Sequence, residues 1–125
     1  MSRNSYLYTK DHEWISIDND SAVIGITDYA QGELGDIIFI ELRDIGDSFS
    51  SGDVFGTIEA VKTVADLFMP ISGNIIDINN EIEDNPEVVN TDAFNKGWIV
   101  KIKINNMDEV KNLLNESDYN KLINE

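Results

Sequence analysis

Gly52-Asp53-Val54-Phe55-Gly56-Thr57-Ile58-Glu59-Ala60-Val61-Lys62-Thr63-Val64-Ala65-Asp66-Leu67-Phe68-Met69-Pro70-Ile71-Ser72-Gly73 places one lysine between two apolar runs. Val54 to Val61 and Val64 to Met69 have the length and the β-branched and aromatic content of strands. The stretch therefore predicts a hairpin with Lys62 at its crown. A glycine stands ten residues before the lysine (Gly52) and another eleven after it (Gly73). Gly52-Asp53-Val54-Phe55 and Gly73-Asn74-Ile75-Ile76 form a weak repeat about Lys62. That placement predicts two similar β halves meeting at the hairpin, a flattened sandwich or barrel-like hybrid. A lysine in a hairpin turn is by default a solvated residue. The same placement also presents its amine to a modifying enzyme.

Outward from the hairpin, most segments read as strands. Ala22, Ile24 and Ile26 alternate onto one face, and Ile37 to Leu42 is apolar apart from Glu41. Trp98, Val100, Ile102 and Ile104 alternate with outward Lys101 and Lys103. Ile75 to Ile78 follows the turn signal Ser72-Gly73-Asn74. Helices are few and peripheral. Thr27 predicts a cap for a short helix ending near Gly35. Asn85-Pro86-Glu87 predicts another, with the asparagine as cap and proline at the first helical position. A C-terminal helical tail is predicted from about residue 107 to 125. Asp108 and Glu109 stand in its first turn, Val110, Leu113 and Leu114 at helical spacing, and a second piece covers Ser117 to Ile123.

The chain has 125 residues, 42% hydrophobic and 26% charged, the composition of one globular domain with its own core. Nine basic against 24 acidic residues give a net charge of −15. That field repels nucleic-acid phosphate and anionic membrane and favours partners with basic docking surfaces. No run approaches a membrane helix, and Met1-Ser2-Arg3-Asn4-Ser5-Tyr6 has no apolar signal core, so the expected compartment is the cytoplasm. Cysteine is absent, which excludes disulfides, thiolate metal sites and a cysteine nucleophile. His12 is the only histidine and lacks the further ligands that a metal site needs. Trp14 and Trp98 read as packing residues. Gly32 to Gly35 lacks the context of a phosphate loop, and Asp47, Asp53, Asp84 and Asp92 do not fit calcium-loop spacing.

Glu59-Ala60-Val61-Lys62, followed by Pro70-Ile71-Ser72-Gly73, resembles the lipoyl-attachment segment of the glycine cleavage system H protein family. His12-Glu13-Trp14 resembles that family's N-terminal block. Gly25-Ile26-Thr27-Asp28-Tyr29-Ala30-Gln31 with Leu34-Gly35-Asp36-Ile37 resembles its second. Asn79, Pro86, Asn90 and Gly97-Trp98 follow in family order, so the resemblance runs from residue 6 to about 120. Two positions depart: the family usually has serine where Ala60 stands, and proline where Arg43 follows Leu42.

The resemblance implies a single non-catalytic carrier domain over residues 1–125, a monomer bearing lipoic acid as N6-lipoyllysine on Lys62. It implies transfer of the aminomethyl group of glycine from the pyridoxal-phosphate glycine decarboxylase to the tetrahydrofolate-dependent aminomethyltransferase. Reoxidation would fall to dihydrolipoamide dehydrogenase and attachment to a lipoylating enzyme. Such a cofactor carries the difficult chemistry, while the tether raises its local concentration at each docked partner. In the family the loaded arm packs against the protein near the positions that match Glu13 and Asp66, which makes these two carboxylates candidates to hold the arm's amine. Set against them is the simpler reading that most of 24 acids are solvated. A lipoyl domain of a 2-oxo acid dehydrogenase or a biotinyl domain shares the hairpin lysine. Those typically carry Asp-Lys-Ala or Met-Lys-Met, where this chain has Val61-Lys62-Thr63. A lipoyl relay protein would use the same lysine. An acidic hydrolase with paired carboxylates finds no pair singled out.

Overall fold

The computed structural model describes residues 6–124. Six strands form one antiparallel sheet: β1 (Tyr6–Tyr8), β2 (Glu13–Asp18), β3 (Ser21–Ile26), β5 (Ser48–Phe49), β8 (Gly73–Ile78) and β9 (Val100–Ile104), in the order β1-β2-β3-β9-β8-β5. The other three, β4 (Ile37–Leu42), β6 (Val54–Ala60) and β7 (Val64–Phe68), make a second antiparallel sheet in the order β4-β6-β7. Period-two patterning explains how they meet. Ala22, Ile24 and Ile26 of β3 and Val100, Ile102 and Ile104 of β9 are buried on one face. They pack in one cluster with Ile37, Ile40, Phe55, Ile58 and Leu67 of the smaller sheet. The expected mainly β flattened sandwich is present, as two open sheets rather than a closed barrel. The repeat about Lys62 falls one copy to each sheet, its first copy running from the turn at Gly52 into β6 and its second opening β8.

A second cluster lies apart from this core. Tyr6, Tyr8, Trp14 and Tyr119 are buried together, with Phe94 and Trp98 packed against them. Trp14 stands opposite Gly25 in the β2–β3 register, and a Cβ on Gly25 would lie 2.5 Å from the indole. The bare glycine lets the ring lie flat across the neighbouring strand, where its Nε1 donates to Ala93 O at 2.9 Å. Trp98 departs from the alternation expected for it. It precedes β9, is half-buried, and joins this aromatic cluster rather than the face of Val100 and Ile102.

Helices cap the sandwich. α1 (Asp28–Leu34) begins at Thr27, whose Oγ1 accepts from Ala30 N, and ends at Gly35. α2 (Glu81–Asp84) and α3 (Val88–Thr91) are single turns. The expected start at Asn85-Pro86 is corrected: α3 starts two residues later, with Glu87 at its cap and no side-chain capping bond. Asn85 and Pro86 instead offer backbone carbonyls to Val88 N and Val89 N in a tight lead-in turn. The tail also differs. Met107–Asn112 is a 3-10 helix capped by Asn106, and α4 (Glu116–Ile123) is a separate helix capped by Asn115. Between them Leu114 exchanges two backbone hydrogen bonds with Tyr8, at 2.7 and 2.8 Å, which pull it out of any helix.

Candidate functional site

The predicted hairpin is β6–β7, paired from Val54↔Phe68 to Glu59↔Val64. Ala60 N donates to Thr63 O at 2.8 Å and closes the ladder, leaving Val61 and Lys62 as the connection. Both are exposed. The crown is tied down all the same, because Val61 N donates to Asp36 O at 3.0 Å in the turn between α1 and β4. The lysine stem lies along that turn: a Cβ on Gly35 would come within 2.8 Å of Lys62 Cε. Gly35 has φ +81°, a backbone conformation open to glycine and strained for other residues.

Asn90 of α3 fixes this strap. Its Nδ2 donates to Gly35 O and to Gln31 Oε1, each at 2.9 Å, and its Oδ1 accepts from Ile37 N at 2.9 Å. One side chain thus joins the end of α1, the strap and the start of β4. Asn79 does similar work behind it, donating to the carbonyls of Lys96 and Trp98 and accepting from Glu81 N.

Beside the strap, Asp11, His12 and Glu13, helix α1 and β7 enclose a cleft of about 340 Å³. Ile26, Ala30, Leu34, Ile58, Ala65 and Leu67 give it apolar walls. Glu13 and Asp66, the two acids singled out in the sequence, both line it. They sit differently. Asp66 is exposed, outward from β7 and paired in register with Thr57. Glu13 is 2% exposed, the only buried acid or base among the described residues. Thr9 Oγ1 donates to its Oε1 at 2.8 Å and Phe68 N to its Oε2 at 3.2 Å. Burial raises its pKa from an ordinary 4.5 to about 8, and the charge of Asp11 adds to this, against the opposing pull of those two hydrogen bonds. At neutral pH the Glu13 carboxyl is therefore mostly neutral.

His12 borders the cleft but is engaged structurally. Its Nδ1 pairs with Tyr119 Oη at 2.9 Å, and the same hydroxyl pairs with Thr27 Oγ1 at 2.7 Å. Its ring lies 4.8 Å from that of Tyr29, and burial lowers its pKa. Helix α4 thus braces His12 at the cleft wall through Tyr119, a residue that no local pattern singles out because it lies 92 positions from Thr27. Asn90 and Gly35 were noted there only as parts of motifs. The bracket they form around the lysine is made by a contact across 55 positions, which no local pattern announces. Among the described residues no group of His, Asp and Glu is placed to hold a metal ion, and no helix is long and apolar enough to cross a membrane.

Two open antiparallel sheets with a lysine at the tip of the central hairpin define a lipoyl/biotinyl-type β protein. The family model for the glycine cleavage H-protein matches residues 6–125, and the chain belongs to that family. It is 48% identical to a glycine cleavage system H protein of Staphylococcus epidermidis over 122 residues, covering 98% of this chain and 97% of the relative. A protein of the same description from Chlorobaculum parvum is 52% identical over 120 residues, covering 94% of each. The crystal structure of a glycine cleavage system H protein from Mycobacterium marinum superposes with a TM-score of 0.90 at 34% identity, covering 98% of both chains.

Proposed function

We propose that this chain is a single-domain, non-catalytic lipoyl carrier of glycine cleavage, with Lys62 as its attachment residue. The observation that carries the reading is geometric. An exposed primary amine stands at a crown held by Asp36 and lies on a strap that follows Leu34, itself in the wall of a cleft with apolar sides and a buried carboxyl. These residues fit a lipoyl group: the amine is reachable for amide formation, and Leu34, Ile58, Ala65 and Leu67 give an apolar wall for a hydrocarbon chain. When bound, the lipoyl dithiolane supplies the site that takes up an aminomethyl group and the thiol–disulfide chemistry of its reoxidation.

The protein supplies position and protection. The strap sets the direction in which the arm leaves the hairpin. The cleft excludes water from its end. Glu13 and Asp66 hold a cationic amine there, Asp66 from the rim and Glu13 from the interior. A cation close to Glu13 draws its pKa down, so the carboxyl gives up its proton as the amine settles. The partners on this reading are the glycine decarboxylase, the aminomethyltransferase, dihydrolipoamide dehydrogenase and a lipoylating enzyme. The carrier is a monomer in the cytoplasm.

Intact-mass analysis of the protein from lipoate-supplied cells tests the attachment. A single lipoyl increment is expected, lost in Lys62→Arg. A biotin increment, or none, overturns the reading. The shelter is tested on the loaded protein: Glu13→Gln and Asp66→Asn are each expected to shorten the lifetime of the aminomethyl-loaded form. Unchanged lifetimes in both remove these residues from the role.

A further inference from the structure

Four of the large apolar side chains exposed among the described residues gather on the three-stranded sheet and its crown. Ile38 is 52% exposed, Phe39 53%, Val61 69% and Val64 62%. Strand alternation alone would turn one of Ile38 and Phe39 inward. It does not, because the β4–β6 register shifts between Ile37 and Phe39: Ile37 pairs with Ala60 and Phe39 with Glu59, leaving Ile38 as the extra residue of a bulge. Bulges re-aim side chains, and this one turns two large apolar groups outward together. In the next register row Phe39, Glu59 and Val64 stand side by side across the sheet. The bond from Val61 N to Asp36 O brings the crown beside the same end of β4. Two rows on, on the same face, stand Glu41, Thr57 and Asp66, with both acids exposed. The result is an apolar patch next to Lys62, with the exposed Glu59 between Phe39 and Val64 and with Glu41 and Asp66 at its border.

We propose that this patch is the docking surface for the enzyme that acylates Lys62, a partner with an apolar pocket rimmed by basic side chains. The inference rests on Lys62 being the attachment residue. Lysine has only a four-carbon stem, so an enzyme whose active site closes on Nζ has to cover the residues flanking the crown. Enzymes that act on the far end of an attached arm escape that constraint. Desolvated apolar groups at the centre of a contact contribute most of its affinity, and the bordering acids, within a chain of net charge −15, complement a basic rim.

The test is steady-state lipoylation of the full chain by a lipoate–protein ligase with ATP and lipoate. It compares the parent with the Ile38→Ser/Phe39→Ser double variant, and with Ile76→Ser, which removes an exposed apolar group on the other sheet. Thermal melting confirms that each variant is folded. The double variant is expected to raise KM for the protein by about tenfold, with kcat within about twofold, the signature of about 1.4 kcal/mol of lost docking. Ile76→Ser should match the parent. A double variant that matches the parent overturns the patch while the carrier reading stands. A fall in kcat with KM unchanged also overturns it, because it reports a displaced lysine. A parent dimer that the double variant converts to monomer in sedimentation assigns the patch to self-association instead. A parent that gains no lipoyl group at Lys62 removes the carrier reading, and the patch with it.

Discussion

Glu13 binds a proton more tightly in the folded chain than in the unfolded one, because burial disfavours its charged form and raises its pKa from 4.5 to about 8. Below 4.5 the carboxyl is protonated in both states and costs nothing. As pH rises towards about 8 the unfolded chain releases this proton first, so stability falls, by up to about 1.4 kcal/mol per pH unit. His12 acts in the opposite direction, since burial lowers its pKa from 6.5 and stability is lost as pH falls below that value. The interval between pH 7 and about 8 separates the two. Urea denaturation there should show stability declining with pH in the parent and a flatter profile in Glu13→Gln. Equal slopes would show that Glu13 does not carry the dependence. Gly25 offers a second test at this scale. A methyl group there meets the Trp14 indole at 2.5 Å, so Gly25→Ala should cost about 1–3 kcal/mol, read as a lower urea midpoint. The sequence marked Glu13, Trp14 and Gly25 as parts of motifs. It could not show that Trp14 covers Gly25, since that contact exists only once β2 and β3 pair.

At the level of elements, the strap between α1 and β4 does for the lysine what the hairpin cannot do alone. A two-residue connection at the edge of a three-stranded sheet is held only by its own closing bond unless something outside it grips the crown. Asp36 O provides that grip, and Asn90 holds the strap that carries it. Asn90→Ala removes all three side-chain bonds and leaves Ile37 N without its partner. The expected cost is about 1–3 kcal/mol, together with faster amide hydrogen exchange at Ile37 and Val61 ahead of the rest of the sheet. Exchange accelerated uniformly would mean that Asn90 supports the fold in general and not the strap. Elements with a clean period, such as β9, the Lys62 hairpin and the Thr27-capped helix, were legible from the sequence because side-chain alternation and capping are local. In the tail the two helical pieces were legible, but the break at Leu114 was not, because Leu114 satisfies its backbone against Tyr8, over a hundred residues away. The Ile38 bulge was hidden for a related reason: an unbroken apolar run fits a buried strand as well as a bulged one.

For the whole molecule, the site and the surface charge pull against each other. The sequence located the lysine and named two of the four acids that line the cleft, but the different states of Glu13 and Asp66, one buried and largely protonated and the other exposed, depend on how the two sheets close. Folding also gathers 24 acidic side chains against nine basic ones onto a small body, so the compact state suffers more self-repulsion than the expanded chain. Salt screens that repulsion over a Debye length of about 10 Å at 0.1 M. Raising sodium chloride from about 10 mM to about 300 mM at pH 7 should therefore raise Tm by several degrees, about 4 °C for each kcal/mol of relieved repulsion in a domain of this size. Scanning calorimetry at the two concentrations measures it. A Tm that stays level or falls would mean that the acids are balanced locally by their neighbours, and that the negative field available to steer a basic partner towards the Lys62 face is weaker than the formal charge implies.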